Sequence, residues 1–506
     1  MSRIGIALAL LLPALLEAQS SRSFLVTHAT VIDGGGGPPI RAAVRVTDGR
    51  IAAIGDLAPR PGEQVVDAHD LALAPGFIDN HSHHDGALHD QPDALGAVSQ
   101  GITTIVVGQD GFSNYPLREY FKALEAAPAA VNVASYAGHN TIRDLVLGSD
   151  FRREASGEEV GRMRLLLRQE LAAGALGLSS GLEYDPGIYS SRSEVLALAQ
   201  TASVAGGRYI SHIRSEDRNF WDAIDEIITI GREAKLPVQI SHIKLAMRPL
   251  WGHADSLVAL LDAARREGIQ ITADIYPYPY WHSTLTVLFP KRDFTDRAEA
   301  EIAVNQVSTP QGLRLGTYRP NPEFAGLTLA EIAPKLGMDS VSALIELVRR
   351  AEAMRAEGMD DVENVIGTSM TEPDIERLLQ WSEMSFCTDG ELDGTHPRGF
   401  GSYPRLLGRY VRERGVLSLP EAVRRATGLA AEHVGISDRG RIQAGQMADL
   451  VLFDPAAIID RATTDDPHAL SVGIVTVWVN GEVVFTEGRT TGRHPGMVLR
   501  RGGTAR

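Results

Sequence analysis

The sequence predicts an α/β protein, a (β/α)8 TIM-like barrel attached to a small β domain that both chain ends build together. Three observations carry this expectation. Between residues 71 and 439, short apolar runs alternate with helical segments, the pattern of βα units on a parallel sheet. Eight such runs can be named, and each is followed by polar residues, as in barrels whose active site lies at the C-terminal face of the strands. Residues 22–70 and 440–490 read instead as short alternating strands joined by tight turns.

In chain order, Met1-Ser2-Arg3, an apolar run at 4–16 and Glu17-Ala18-Gln19-Ser20 read as a signal peptide, residues 1–18, cleaved after Ala18. Export to the periplasm or the medium is expected. The run is short for a ~20-residue membrane span, and no later stretch is apolar enough, so the mature chain is expected to lack one. Strand-like runs at 23–31 and 42–54 follow, broken by Gly34-Gly35-Gly36-Gly37 and Asp48-Gly49; runs at 448–453 and 472–485, with an Asn480-Gly481 turn, match them in character.

The eight central runs are 71–78, 102–107, 130–136, 175–180, 208–213, 237–243, 269–275 and 384–387. At or just after their ends stand His81 and His83, Gln109-Asp110, His139, Glu183, His212, His242, Asp274 with Tyr276, and Asp389. The interval 285–347 breaks the rhythm and reads as an insertion over the barrel mouth.

Composition narrows the function. The 506 residues suffice for a barrel of ~250 residues and an accessory domain. Hydrophobic content of 44% and charged content of 22% exclude a disordered chain and a membrane bundle. A net charge of −15 repels nucleic acid and anionic membranes, so neither is an expected partner. Cys387 is the only cysteine, which excludes an intramolecular disulfide.

The chemistry begins where the first run ends, at His81-Ser82-His83. Side chains alternate faces along a strand, so His81 and His83 project to one side and Ser82 to the other. Two imidazoles then aim at one point, an arrangement suited to Zn, Fe, Ni or Cu. His212 and His242 close runs five and six in matching Ile-Ser-His-Ile contexts, and Asp389 closes run eight. Together they form the ligand set of a metal-dependent hydrolase. The cation lowers the pKa of its water towards ~7 and polarises a scissile carbonyl; a neighbouring carboxylate takes the water's proton and passes it to the leaving amine.

These residues, with Gly76-Phe77-Ile78-Asp79, Gly138-His139-Asn140-Thr141, Gly177 through Tyr184, Asp274-Ile275-Tyr276-Pro277-Tyr278, Thr388-Asp389-Gly390, His396-Pro397-Arg398 and Ala448-Asp449-Leu450-Val451, resemble the amidohydrolase superfamily and, within it, the D-aminoacylases or N-acyl-D-amino-acid deacylases. The resemblance spans nearly the whole mature chain. It implies a TIM-like barrel with a β-sandwich from both termini, hydrolysis of the acyl amide of N-acyl-D-amino acids, and one or two divalent ions, zinc first. It implies His212 and His242 as the tight metal site, His81 and His83 as a weaker one, Glu183 as a bridging carboxylate and Asp389 as general acid/base. Lys244, Tyr276, Ser283 and Arg398 match positions that hold the substrate carboxylate, where Arg offers a bidentate fork and Lys a point charge.

One position departs from the family. Where the deacylases carry a cysteine after strand two, this chain has Asp110, in Val107-Gly108-Gln109-Asp110-Gly111. If the strand places it beside His212 and His242, its carboxylate replaces a thiolate and makes the ligand set harder. Its other reading is a turn aspartate before Gly111. Other reactions of the superfamily stay open, on a cyclic amide, a dipeptide or an N-acyl-L-amino acid, as does a binding barrel without catalysis; the intact ligand set counts against the last. The resemblance implies a small-molecule N-acyl amino acid as partner and leaves oligomeric state open.

Overall fold

The apolar run 71–78 serves two sheets. In the computed structural model, which describes residues 23–503, Ala72–Pro75 lies between Ser23–Val31 and Leu450–Phe453, whereas Phe77–Asp79 pairs in parallel with Ile102–Val107. The switch falls at Gly76. A Cβ there would stand 2.2 Å from the Thr103 side chain, so only glycine lets the chain pass its neighbour this closely. The barrel expected to start at residue 71 therefore starts after Gly76. The expected signal peptide lies outside the described residues.

Parallel pairing runs from Phe77–Asp79 through Ile102–Val107 to Asn132–Ser135, which resumes as Ala137–Gly138, and then through Gly177–Gly181, Arg208–His212, Val238–Ile240, Ile271–Ile275 and Met384–Phe386. The last strand returns to the first: the Asp389 N–H donates to the His81 carbonyl at 2.9 Å, and Asn80 Nδ2 donates to Ser385 Oγ at 3.0 Å. Eight parallel strands thus close a ring, as expected. Helices lie between them, among them Gly157–Ala173, Arg192–Val204, Phe220–Ala234 and Ala254–Arg266. Phe220–Ala234 shows why: Phe220, Ile224, Ile227 and Ile228 are buried at helical spacing.

Between strands seven and eight the chain forms a separate antiparallel sheet of Tyr280–Ser283, Leu313–Tyr318 and Glu363–Thr368, flanked by helices Leu329–Leu336 and Ser340–Ala356. The insertion is wider than the expected 285–347: its first and last strands in chain order, Tyr280–Ser283 and Glu363–Thr368, fall outside that interval and lack clear alternation. It overhangs the barrel mouth: Thr317, Arg319 and Arg355 line the same cavity as His83, Asp110 and Asp389.

Both chain ends meet in one nine-stranded sheet, in which the strands up to Ala72–Pro75 join Leu450–Phe453, Ile474–Val479 and Glu482–Thr486. It has its own core of Phe24, Val26, Val44, Val46, Leu450 and Trp478. Phe24 stacks on Trp478 at 5.8 Å, a contact worth ~0.5–1.5 kcal/mol beyond area burial. Among the described residues no helix is long and apolar enough to cross a membrane.

Candidate metal centre

The strand ends hold the ligands by backbone as well as by pattern. Buried Asp79, on strand one, accepts from the Thr388 amide at 2.9 Å and from Thr388 Oγ1 at 2.5 Å, which sets Asp389 beside His81. Burial pushes the Asp79 carboxyl up to about 7 against these bonds. Asp274, on strand seven, accepts the His242 amide at 2.7 Å. Asp110, His242 and Asp389 all have positive φ, at 52°, 34° and 50°. Such backbone costs on the order of 1–3 kcal/mol per non-glycine residue and persists only where its surroundings enforce it.

The four side chains His81, Asp110, His242 and Asp389 are buried, with one ligand atom from each lying within 4.8 Å of all the others. His81 Nε2 is 3.5 Å from Asp110 Oδ1 and 3.3 Å from Asp389 Oδ1. His83 Nε2 is 3.4 Å from Asp110 Oδ2 and 3.3 Å from Asp389 Oδ1. His242 Nε2 is 3.4 Å from Asp110 Oδ1. A second group joins the first through His242: His212 Nδ1 stands 3.1 Å from His242 Nε2, and Glu216 Oε1 stands 3.1 Å from His242 Nδ1.

A divalent cation fits this donor set. His81 Nε2 and Asp110 Oδ1 are buried without a hydrogen-bond partner, although buried polar atoms are normally paired. Converging nitrogen and carboxylate lone pairs left unpaired suit zinc or a neighbouring divalent ion.

Charge within the group is shared between imidazoles and carboxylates. Burial pushes the Asp110 carboxyl up, and His81 and His242 overcome that, holding it well below the usual carboxylate range. Asp389 follows the same logic, with Arg398 as its strongest ally. Burial opposes protonation of His83, yet Asp110 and Asp389 raise it to about 10.

The expected residues converge, with changes in partnership. Asp110 stands beside His242, and its other partners are His81 and His83 rather than His212. The reason is curvature, which brings strands one, two, six and eight to one point. Glu183 lies outside this group, bonded to His212 Nε2 at 3.0 Å and accepting the Glu216 amide at 2.8 Å. Lys244 is buried, with Nζ 2.6 Å from Glu216 Oε1. The Arg398 guanidinium and the Lys244 ammonium lie 4.9 and 5.7 Å from the Tyr276 ring centre. Ser283 is half-buried on the first strand of the insertion and lines the same cavity as Arg398. Cys387 is a buried free thiol pushed well up by burial, a core residue. Sequence reasoning assigned no role to Glu216; its only signal is its place four residues after His212.

A family model described as the amidohydrolase family matches residues 64–289 and 395–485. The chain is 36% identical to an N-acyl-D-glutamate deacylase and 35% identical to a D-aminoacylase, both of Alcaligenes xylosoxydans xylosoxydans; these alignments cover 96% and 94% of this chain and 97% of each relative. Among solved structures, the N-acyl-D-glutamate deacylase of Bordetella bronchiseptica, complexed with zinc and a phosphonate mimic of the tetrahedral intermediate, superposes with a TM-score of 0.84. That match has 36% identity and covers 94% of this chain and 99% of the other.

Proposed function

This chain belongs to the amidohydrolase family, and from that premise we propose that it hydrolyses the acyl amide bond of N-acyl-D-amino acids, releasing a carboxylate and the free D-amino acid. The observation that carries this reading is the buried quartet His81, Asp110, His242 and Asp389, in which His81 Nε2 and Asp110 Oδ1 lack a hydrogen-bond partner, beside two cations poised over one tyrosine. The cofactor is divalent metal, zinc first, in one or two ions. We assign it to His81, His83, Asp110 and His242, with His212 and Glu216 completing a second position next to His242. When bound, it supplies Lewis acidity to the scissile carbonyl and to the attacking water.

Asp389 does the proton work. Its carboxylate takes a proton from water as the new C–O bond forms and delivers it to the amine nitrogen as the C–N bond breaks. Tyr276 Oη and Arg398 Nε are buried donors without acceptors, and Lys244 stays cationic because the burial that opposes its charge is more than offset by Glu216 together with Tyr276 and Asp389. This supports a substrate carboxylate held among Arg398, Lys244, Tyr276 and Ser283. Glu183 orients His212 through its Nε2.

The signal-like N-terminus supports export. We read the terminal sheet, with its separate core, as the small β-sandwich domain, now 23–75 and 450–490, and the remainder as barrel and insertion. Release of acetate from paired N-acetyl-D- and N-acetyl-L-amino acids, before and after chelation, tests the reaction. Metal-dependent release confined to the D series is the expected result.

A further inference from the structure

The relatives differ in the side chain they act on, and this chain's own pocket distinguishes among the choices. Beside the four groups assigned to the substrate carboxylate, a cavity is walled by Ala246, Trp281, Val287, Leu288 and Val307. Four of the five come from the insertion, and all but the half-buried Val287 are buried. The carboxylate and the side chain share one Cα, so a wall flanking the carboxylate groups receives the side chain. The acyl group lies on the far side of the amide nitrogen from that Cα.

Charge along this cavity is compensated internally. Its polar edge carries Glu183, Glu216, Asp217 and Asp389 together with Lys244, Arg398 and the imidazoles of His212, His242 and His282. The cations at or near it are already paired: Lys244 with Glu216 at 2.6 Å, Arg398 with Asp389 at 2.5 Å, Arg218 with Asp217 at 3.1 Å and Arg292 with Asp185 at 2.8 Å. Lys244 and Arg398 also have the substrate's α-carboxylate to satisfy. A second carboxylate, on a glutamate or aspartate side chain, would enter against apolar carbon with the neighbouring cations already engaged, which is costly without a partner.

We infer that the enzyme selects N-acyl-D-amino acids with uncharged, apolar side chains and rejects the acidic ones, with the insertion wall as the specificity determinant. This rests on the deacylase reading above. The test is kcat/KM of the metal-loaded enzyme on N-acetyl-D-leucine, -D-methionine, -D-glutamine and -D-glutamate. Leucine and methionine should exceed glutamate by about 100-fold or more, with glutamine between them, since it matches glutamate in length without the charge. Val287→Lys, at a half-buried position that tolerates a cation, should raise the glutamate-to-leucine ratio by about 10-fold. Glutamate hydrolysed as fast as leucine, or an unmoved ratio in Val287→Lys, would overturn the inference and leave deacylation intact. Absence of turnover on every D-substrate would instead overturn the deacylase reading, and this inference with it.

Discussion

Arg398 Nη1 donates to Asp389 Oδ2 at 2.5 Å, and both side chains are buried. Burial pushes the Asp389 carboxyl up; Arg398, then His242, His81 and His83, more than offset it, so the carboxylate persists well below its usual range. Activity that needs the ionised form is lost as pH falls through that low pKa. Removing the guanidinium raises the pKa, so in Arg398→Ala the acid limb of the kcat profile should move to higher pH by about 1–3 units. KM should rise more for N-acyl-D-amino acids than for their carboxamides, which present no carboxylate to Arg398. Profiles on both substrate types measure both effects, and an unmoved limb would separate Arg398 from the base.

Asp389→Asn keeps the shape of the side chain and removes its basicity. Turnover should fall by about 10²–10⁴, while metal content stays near that of the parent because His81, His83, Asp110 and His242 remain. Single-turnover assays with metal analysis on the same sample check this; full activity would exclude Asp389 from proton transfer.

Lys244 and Glu216 form a buried ion pair beside His242, and removing one partner strands the other. Lys244→Met should destabilise the fold by about 3–5 kcal/mol, and adding Glu216→Gln should recover part of that loss. Urea unfolding of the two single variants and the double variant measures the coupling. Additive effects would mean the pair is only a contact of position.

Metal binding should release protons. Burial resists charging His83, but Asp110 and Asp389 hold its proton up to about pH 10, and imidazole must be neutral to ligate. Affinity should therefore increase with pH across the neutral range. Calorimetric titration with Zn²⁺ in two buffers of different ionisation enthalpy reads the proton count, with at least one proton per ion expected.

Local pattern reaches some of this site and stops short of the rest. His81 and His83 are legible because residues two apart on a strand share a face, and His212 and His242 because each ends an apolar run. Glu216 is not, because it stands in a loop whose path depends on Ser215, which accepts the Asn219 amide at 3.0 Å. Asp110's partners depend on a left-handed turn and on barrel curvature, neither of which periodicity encodes. Gly76 hides the change of sheet because the residues on both sides of it are apolar, so 71–78 reads as one strand.

In this metal enzyme Asp110 occupies the position where the resemblance to the D-aminoacylases implies a cysteine, and it is assigned here as a metal ligand. Elemental analysis of the parent protein, Asp110→Ala and Asp110→Cys, purified alike, tests it most directly. We expect divalent metal in the parent, its loss together with activity in Asp110→Ala, and recovered zinc in Asp110→Cys, since a thiolate is the softer zinc ligand. An Asp110→Ala protein with undiminished metal would contradict the claim, leaving the ion to the histidines and Asp110 to its turn.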